Sequence, residues 1–115
     1  MKKIAILTCL KSNNNCTRAS CLQAFYNKTG YFSKYKDEEI KLVALWTCQG
    51  CMDNRLYDEE GFKEKIQRIC AIGTDTVHIG VCCITRNDMI FCKEIKKICE
   101  ILNENNIKIV FGTHN

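Results

Sequence analysis

Short apolar runs alternate with stretches of helical spacing along the whole chain, which marks alternating strands and helices. Lys3 to Thr8 and Lys41 to Trp46 read as buried strands, Asp75 to Val81 as a third with Val77, Ile79 and Val81 on one side, and Ile107 to Phe111 as a fourth. Between them, Arg18 to Asn27 carries a stripe of Cys21, Leu22, Ala24 and Phe25, with Thr17 as its expected cap and Gly30 as its stop. A second helix opens at Asp58, carries Phe62, Ile66, Ile69 and Cys70, and closes at Gly73. A third opens at Asn87 or Asp88, carries Phe91, Ile95, Ile98 and Leu102, and closes near Asn105 and Asn106. Gly30 to Glu39 reads as a long loop whose aromatic rings pack on their own domain, with covering the site or meeting a partner as the other uses open to them. The expected fold is α/β: a small three-layer α/β/α domain spanning 1–115, with a mostly parallel four-stranded sheet of flavodoxin or Rossmann type in order 2-1-3-4.

The charge balance, 17 Lys and Arg against 13 Asp and Glu, is too mild to point to nucleic acid. The N-terminal apolar stretch runs directly into Lys11-Ser12-Asn13, with no small-x-small cleavage site after it. No other segment reaches the length of a membrane span. These features predict a cytoplasmic protein without membrane or nucleic-acid partners.

The 10 Cys then change the picture. In a reducing compartment dense cysteine points to metal or redox chemistry before structural disulfides. In an open parallel sheet the ligand site lies beyond the carboxyl ends of the strands, and that is where the soft donors fall. Cys9 follows the first strand, Cys48 and Cys51 the second, His78 and Cys82 close the third, and His114 follows the fourth. Thiolate and imidazole are the donors that zinc and iron–sulfur clusters select. Cys16 and Cys21 flank the start of the first helix and Cys92 that of the third, near the same edge. Cys83 adjoins Cys82 and reads as a spectator. Cys70 and Cys99 lie on apolar helix faces, where cysteine acts as a small hydrophobe.

Cys48-Gln49-Gly50-Cys51 is a C-x-x-C at a strand-to-helix transition, a spacing that suits a metal chelate or a vicinal dithiol. The absence of proline speaks against a thioredoxin-like dithiol loop. No cysteine has an arginine at the offset of a phosphate-cradling loop, and no glycine-rich nucleotide motif is present.

The succession Cys9, Cys16, Cys21-Leu22-Gln23-Ala24, Thr47-Cys48-Gln49-Gly50-Cys51, Val77-His78-Ile79, Cys82, Cys92 and Gly112-Thr113-His114 resembles the CGGC domain family over essentially the full chain. The resemblance implies a small metal-binding protein rich in cysteine and histidine, with no particular reaction attached. Matched position by position, it implies shared sites at Cys9, Cys16, Cys21, Cys48, Cys51, His78, Cys82, Cys92 and His114, and leaves Cys70, Cys83 and Cys99 outside. The chain departs from the family pattern at Gln49, where the namesake tetrapeptide has its first glycine, and at Lys93, where proline and histidine are common.

Three functions share this ligand set. The leading one is a protein holding zinc or an iron–sulfur cluster, with seven candidate thiols exceeding what a structural zinc needs and either electron transfer to a redox partner protein or a small redox reaction as its use. The second is a dithiol oxidoreductase, with Cys48 or Cys51 attacking and Cys9 or Cys82 resolving. The third is a metal-buffering or regulatory module without catalysis.

Overall fold

The computed structural model of the chain describes residues 1–9, 16–48, 59–80 and 93–113, with the backbone alone at Cys9, Cys48, Glu59, Lys93 and Glu94. Its strands are β1, Lys2–Cys9, β2, Ile40–Cys48, β3, Thr76–Ile79, and β4, Lys108–Phe111. Between them run α1, Ala19–Asn27, a 3-10 helix over Gly30–Tyr35, α2, Glu59–Ala71, and α3, Lys93–Glu104. All strand pairings are parallel, as the alternating periodicity predicts, and the order is the expected β2-β1-β3-β4. Among the described residues no helix is long and apolar enough to cross a membrane.

Alternation along the strands feeds two separate cores. Ile4 and Ile6 pack with Cys21, Ala24 and Phe25 of α1 and with Phe32 and Tyr35 of the 3-10 helix. Ala5, Leu7, Val77 and Ile79 pack on the other face with Ile66 and Ile69 of α2 and Ile95, Ile98 and Leu102 of α3. Each such side chain contributes about 1.5–3 kcal/mol when fully removed from water. The register shifts between Ile4, which pairs with Leu42, and Ala5, which pairs with Ala44. This bulge skips Val43 and so re-aims the strand: Leu42 packs with the α1 core, whereas Ala44 and Trp46 pack with the α2 and α3 core.

Three local expectations need correction. The first helix is capped by Arg18 in a left-handed conformation, φ 63°, with no side-chain cap bond. Thr17 acts one step earlier, its hydroxyl accepting from the Ala19 N–H at 3.3 Å. The helix ends at Lys28, φ 54°, whose N–H reaches the Ala24 and Phe25 carbonyls, so Gly30 opens the next element instead of closing this one. The expected loop from Gly30 is that 3-10 helix, and its i, i+3 pair Phe32 and Tyr35 is buried at 0% and 1% exposure. By contrast Gly73, φ 78°, stands after α2 as a left-handed stop, and Asn106, φ 64°, plays the same part after α3. The expected starts of the second and third helices, at Asp58 and at Asn87 or Asp88, lie outside the described residues, as does Val81.

Candidate functional site

The carboxyl edge of the sheet is built from the ends of β1 and β2. Cys9 and Cys48 are the last residues of these strands and are direct register partners. Adjacent strands lie about 4.8 Å apart, so the two cysteine positions stand side by side at the edge. One step back, Thr8 and Thr47 are partners too, with hydroxyl oxygens 3.3 Å apart. The Thr8 hydroxyl donates to the Trp46 carbonyl at 3.2 Å.

Arg18 ties the loop after β1 onto this edge. Its Nε and Nη2 donate to Thr8 Oγ1 at 3.3 and 3.2 Å, and its Nη1 donates to the Cys16 carbonyl at 2.9 Å. Its backbone N–H points at Cys16 Sγ, 3.4 Å away. The left-handed backbone at Arg18 turns the chain so that one residue supplies all four contacts. A cation and an N–H donor beside Cys16 suit the negative charge that a thiolate-ligated metal centre carries.

Beyond β3 and β4 the edge continues through Gly80 and Gly112. Gly112 donates its N–H to the Ile79 carbonyl at 2.8 Å, and Tyr31 donates its N–H to the Thr113 carbonyl at 2.9 Å. Gly112 has φ 136°, and a Cβ there would run into the Tyr31 ring, so both conformation and space require glycine. Buried Cys21 brings its sulfur to 3.2 Å from Thr113 Oγ1.

His78 is wholly buried in β3, and both of its ring nitrogens are engaged. Nδ1 donates to the Gly112 carbonyl at 2.8 Å, and Nε2 lies 2.9 Å from the Tyr35 hydroxyl. The ring stacks on Phe32 with centroids 4.2 Å apart. Burial is the main cause that lowers its pKa from 6.5 to about 4; the bond to Gly112 opposes this and the Lys34 charge adds to it. The ring is therefore neutral at pH 7. In this arrangement neither nitrogen presents a lone pair to a metal.

The remaining candidates divide simply. Cys51, Cys82, Cys92 and His114, with Cys83, lie outside the described residues. Cys99 is in the core of α3, where burial and the neighbouring Glu100 push its thiol up to about 11. Cys70 packs partly buried against the same core. None of Cys16, Cys21, Cys70 and Cys99 is in a disulfide. Among the described residues no three His, Cys, Asp or Glu side chains gather closely enough to hold a metal ion.

Sequence reasoning missed Arg18, Thr8 and Tyr35. The i, i+3 spacing of Phe32 and Tyr35 is the one local trace of the 3-10 turn, too short to separate it from a loop. Nothing local pairs Arg18 with Thr8.

The family model described as CGGC domain matches residues 3–114. An uncharacterized protein of Methanocaldococcus jannaschii is 32% identical over 121 residues, covering 97% of this chain and 86% of its own length. No solved structure matches. With its cysteines set at the ends of parallel strands and the family model matched almost from end to end, the chain belongs to the CGGC domain family.

Proposed function

We propose that this chain is a metal-binding protein whose cysteines at the carboxyl edge of the sheet hold zinc or an iron–sulfur cluster. The observation that carries the reading is the register pairing of Cys9 with Cys48 at the ends of adjacent strands, with Cys16 drawn to the same edge by Arg18. The donor chemistry fits a soft metal, since thiolates select zinc and iron–sulfur clusters over hard cations. Cys9, Cys16 and Cys48 are the proposed inner donors, completed from Cys21, Cys51, Cys82, Cys92 and His114. Membership of the CGGC family supports a metal-binding role. Zinc would tie strand ends that are distant in sequence and so add to folding free energy, while a cluster would supply one-electron chemistry for a redox partner protein.

Purification without oxygen, followed by elemental analysis and an absorption spectrum on one sample, tests this. Iron with acid-labile sulfide and a visible band bleached by dithionite supports the cluster. Stoichiometric zinc with a silent spectrum supports the zinc site. Less than about a tenth of an equivalent of any metal, before and after reconstitution under reducing conditions, overturns the reading.

A second reading has one observation in its favour. Register partners about 4.8 Å apart fall within the Cα separation of disulfides, so Cys9 and Cys48 suit a dithiol that gives two electrons and two protons to a disulfide substrate. It gains if the protein is metal-free and Cys9 and Cys48 interconvert reversibly between thiols and a disulfide.

A further inference from the structure

Beneath the carboxyl edge lies a directed series of buried polar groups. Tyr35 Oη is 2.9 Å from His78 Nε2, and His78 Nδ1 is 2.8 Å from the Gly112 carbonyl. A carbonyl only accepts, so the proton is on Nδ1. Nε2 of the neutral ring is then an acceptor, and the Tyr35 hydroxyl donates to it. Tyr35 and His78 are exposed by no more than 1%, so both bonds are shielded from water.

The series ends on a dipeptide held from several sides. Gly112 is bound by His78 through its carbonyl and by Ile79 through its N–H, while Thr113 is bound by Tyr31 through its carbonyl and meets Cys21 through its hydroxyl. Fixing the Gly112 carbonyl fixes the peptide plane from which Thr113 projects.

We infer that His78 is a positioning residue and not a metal ligand: through Gly112 it sets the Thr113 hydroxyl against the Cys21 sulfur at the carboxyl edge. For His78 to bind a metal, the ring would have to abandon either Tyr35 or Gly112 and leave a buried polar group without its partner. It would also have to leave its stack on Phe32, at 4.2 Å and 27°, in a pocket that exposes none of its surface. The chain has 2 His, so this assignment leaves His114 as the one remaining imidazole and makes the proposed metal site of the preceding section predominantly thiolate. That consequence rests on the metal-binding reading, whereas the positioning role does not.

The test uses the full chain under reducing conditions, as wild type and as the variants His78→Leu, His78→Asn and Tyr35→Phe. The ring-nitrogen resonances of His78 are recorded before and after zinc is added. The rate at which iodoacetamide alkylates Cys21 is followed by peptide mass spectrometry in the zinc-free proteins, with Cys99, in the opposite core, as internal control. Expected are unchanged His78 nitrogen resonances on zinc loading and roughly tenfold faster alkylation of Cys21 in His78→Leu, from loss of its local hydrogen-bonded support. Tyr35→Phe should be accelerated less. His78→Asn, whose amide N–H can stand where Nδ1 stood, should return toward wild type, with Cys99 unchanged throughout.

A shift of either His78 nitrogen on zinc loading makes it a ligand and overturns the inference. Equal acceleration at Cys21 and Cys99 also overturns it, because His78 would then support only global stability. So does an unchanged Cys21 rate. If the wild type takes up no zinc and no iron, the metal-binding reading fails by itself, and the alkylation rates still decide the role of His78.

Discussion

The two faces of the sheet are made from the same strands and share almost no chemistry. On the α2 and α3 side the buried groups are aliphatic side chains and Cys99. On the α1 side Phe32 and Tyr35 pack on a histidine whose two nitrogens are both hydrogen-bonded. A thiol placed on each face therefore meets a different fate. Cys99 sits among isoleucines with its pKa raised to about 11, a thiol that packs as a hydrophobe. Cys21, as deeply buried, lies 3.2 Å from the Thr113 hydroxyl at the edge where Cys9 and Cys48 end their strands. At equal burial one thiol lies among hydrocarbon and the other beside a hydroxyl, so the polarity of the neighbours and not burial distinguishes them.

The contrast can be broken most forcefully from the aliphatic side. Leu102 is 0% exposed, and Leu102→Ala should lower the unfolding free energy by about 3 kcal/mol through lost burial and a residual cavity. Urea titration measures this, and the metal content should not change. An equal loss of metal would show that the two faces are not independent.

On the other face a comparable effect comes from acid. Burial depresses the folded-state pKa of His78 to about 4 from 6.5, so the unfolded chain binds the proton more readily. Stability from this group is fully present above pH 6.5, falls as pH drops toward 4, and totals about 3 kcal/mol in the metal-free protein. Urea midpoints across this range should fall for wild type. In His78→Asn that part of the slope should vanish, and a slope left intact would assign it to other groups.

Gly112→Ala should cost about 2 kcal/mol, since it combines φ 136° with a collision at Tyr31. Adding Tyr31→Ala should relieve the collision and leave the backbone strain, so thermal melts should show partial recovery. Full recovery would mean that the glycine is needed for space alone. The smallest effect is expected at Cys99→Ala, about 1 kcal/mol with unchanged metal content. A fall in metal content there would undo the assignment of Cys99 to the core.

The α/β class and the core positions of Cys70 and Cys99 were legible because each rests on local periodicity, whereas the strand order, though it agrees with the expected 2-1-3-4, is not something periodicity fixes. Val77 and Ile79 alternate, Ile95, Ile98 and Leu102 recur at helical spacing, and Gly73 stops a helix wherever it is met. The 3-10 helix was hidden because six residues with two buried rings carry too little pattern to stand apart from a loop.

By itself, then, the sequence determined which segments are strands and helices, that Gly73 stops one helix and that cysteines fall at strand ends, since these follow from residue types within a few positions of one another. Tertiary structure alone decided that His78 faces Tyr35 and Gly112, that Arg18 reaches Thr8, and that Cys21 meets Thr113. Those partners lie 43, 34, 10 and 92 residues apart. A hydrogen bond depends on ångström-scale placement of two particular atoms, and across such separations that placement is set by how the layers pack.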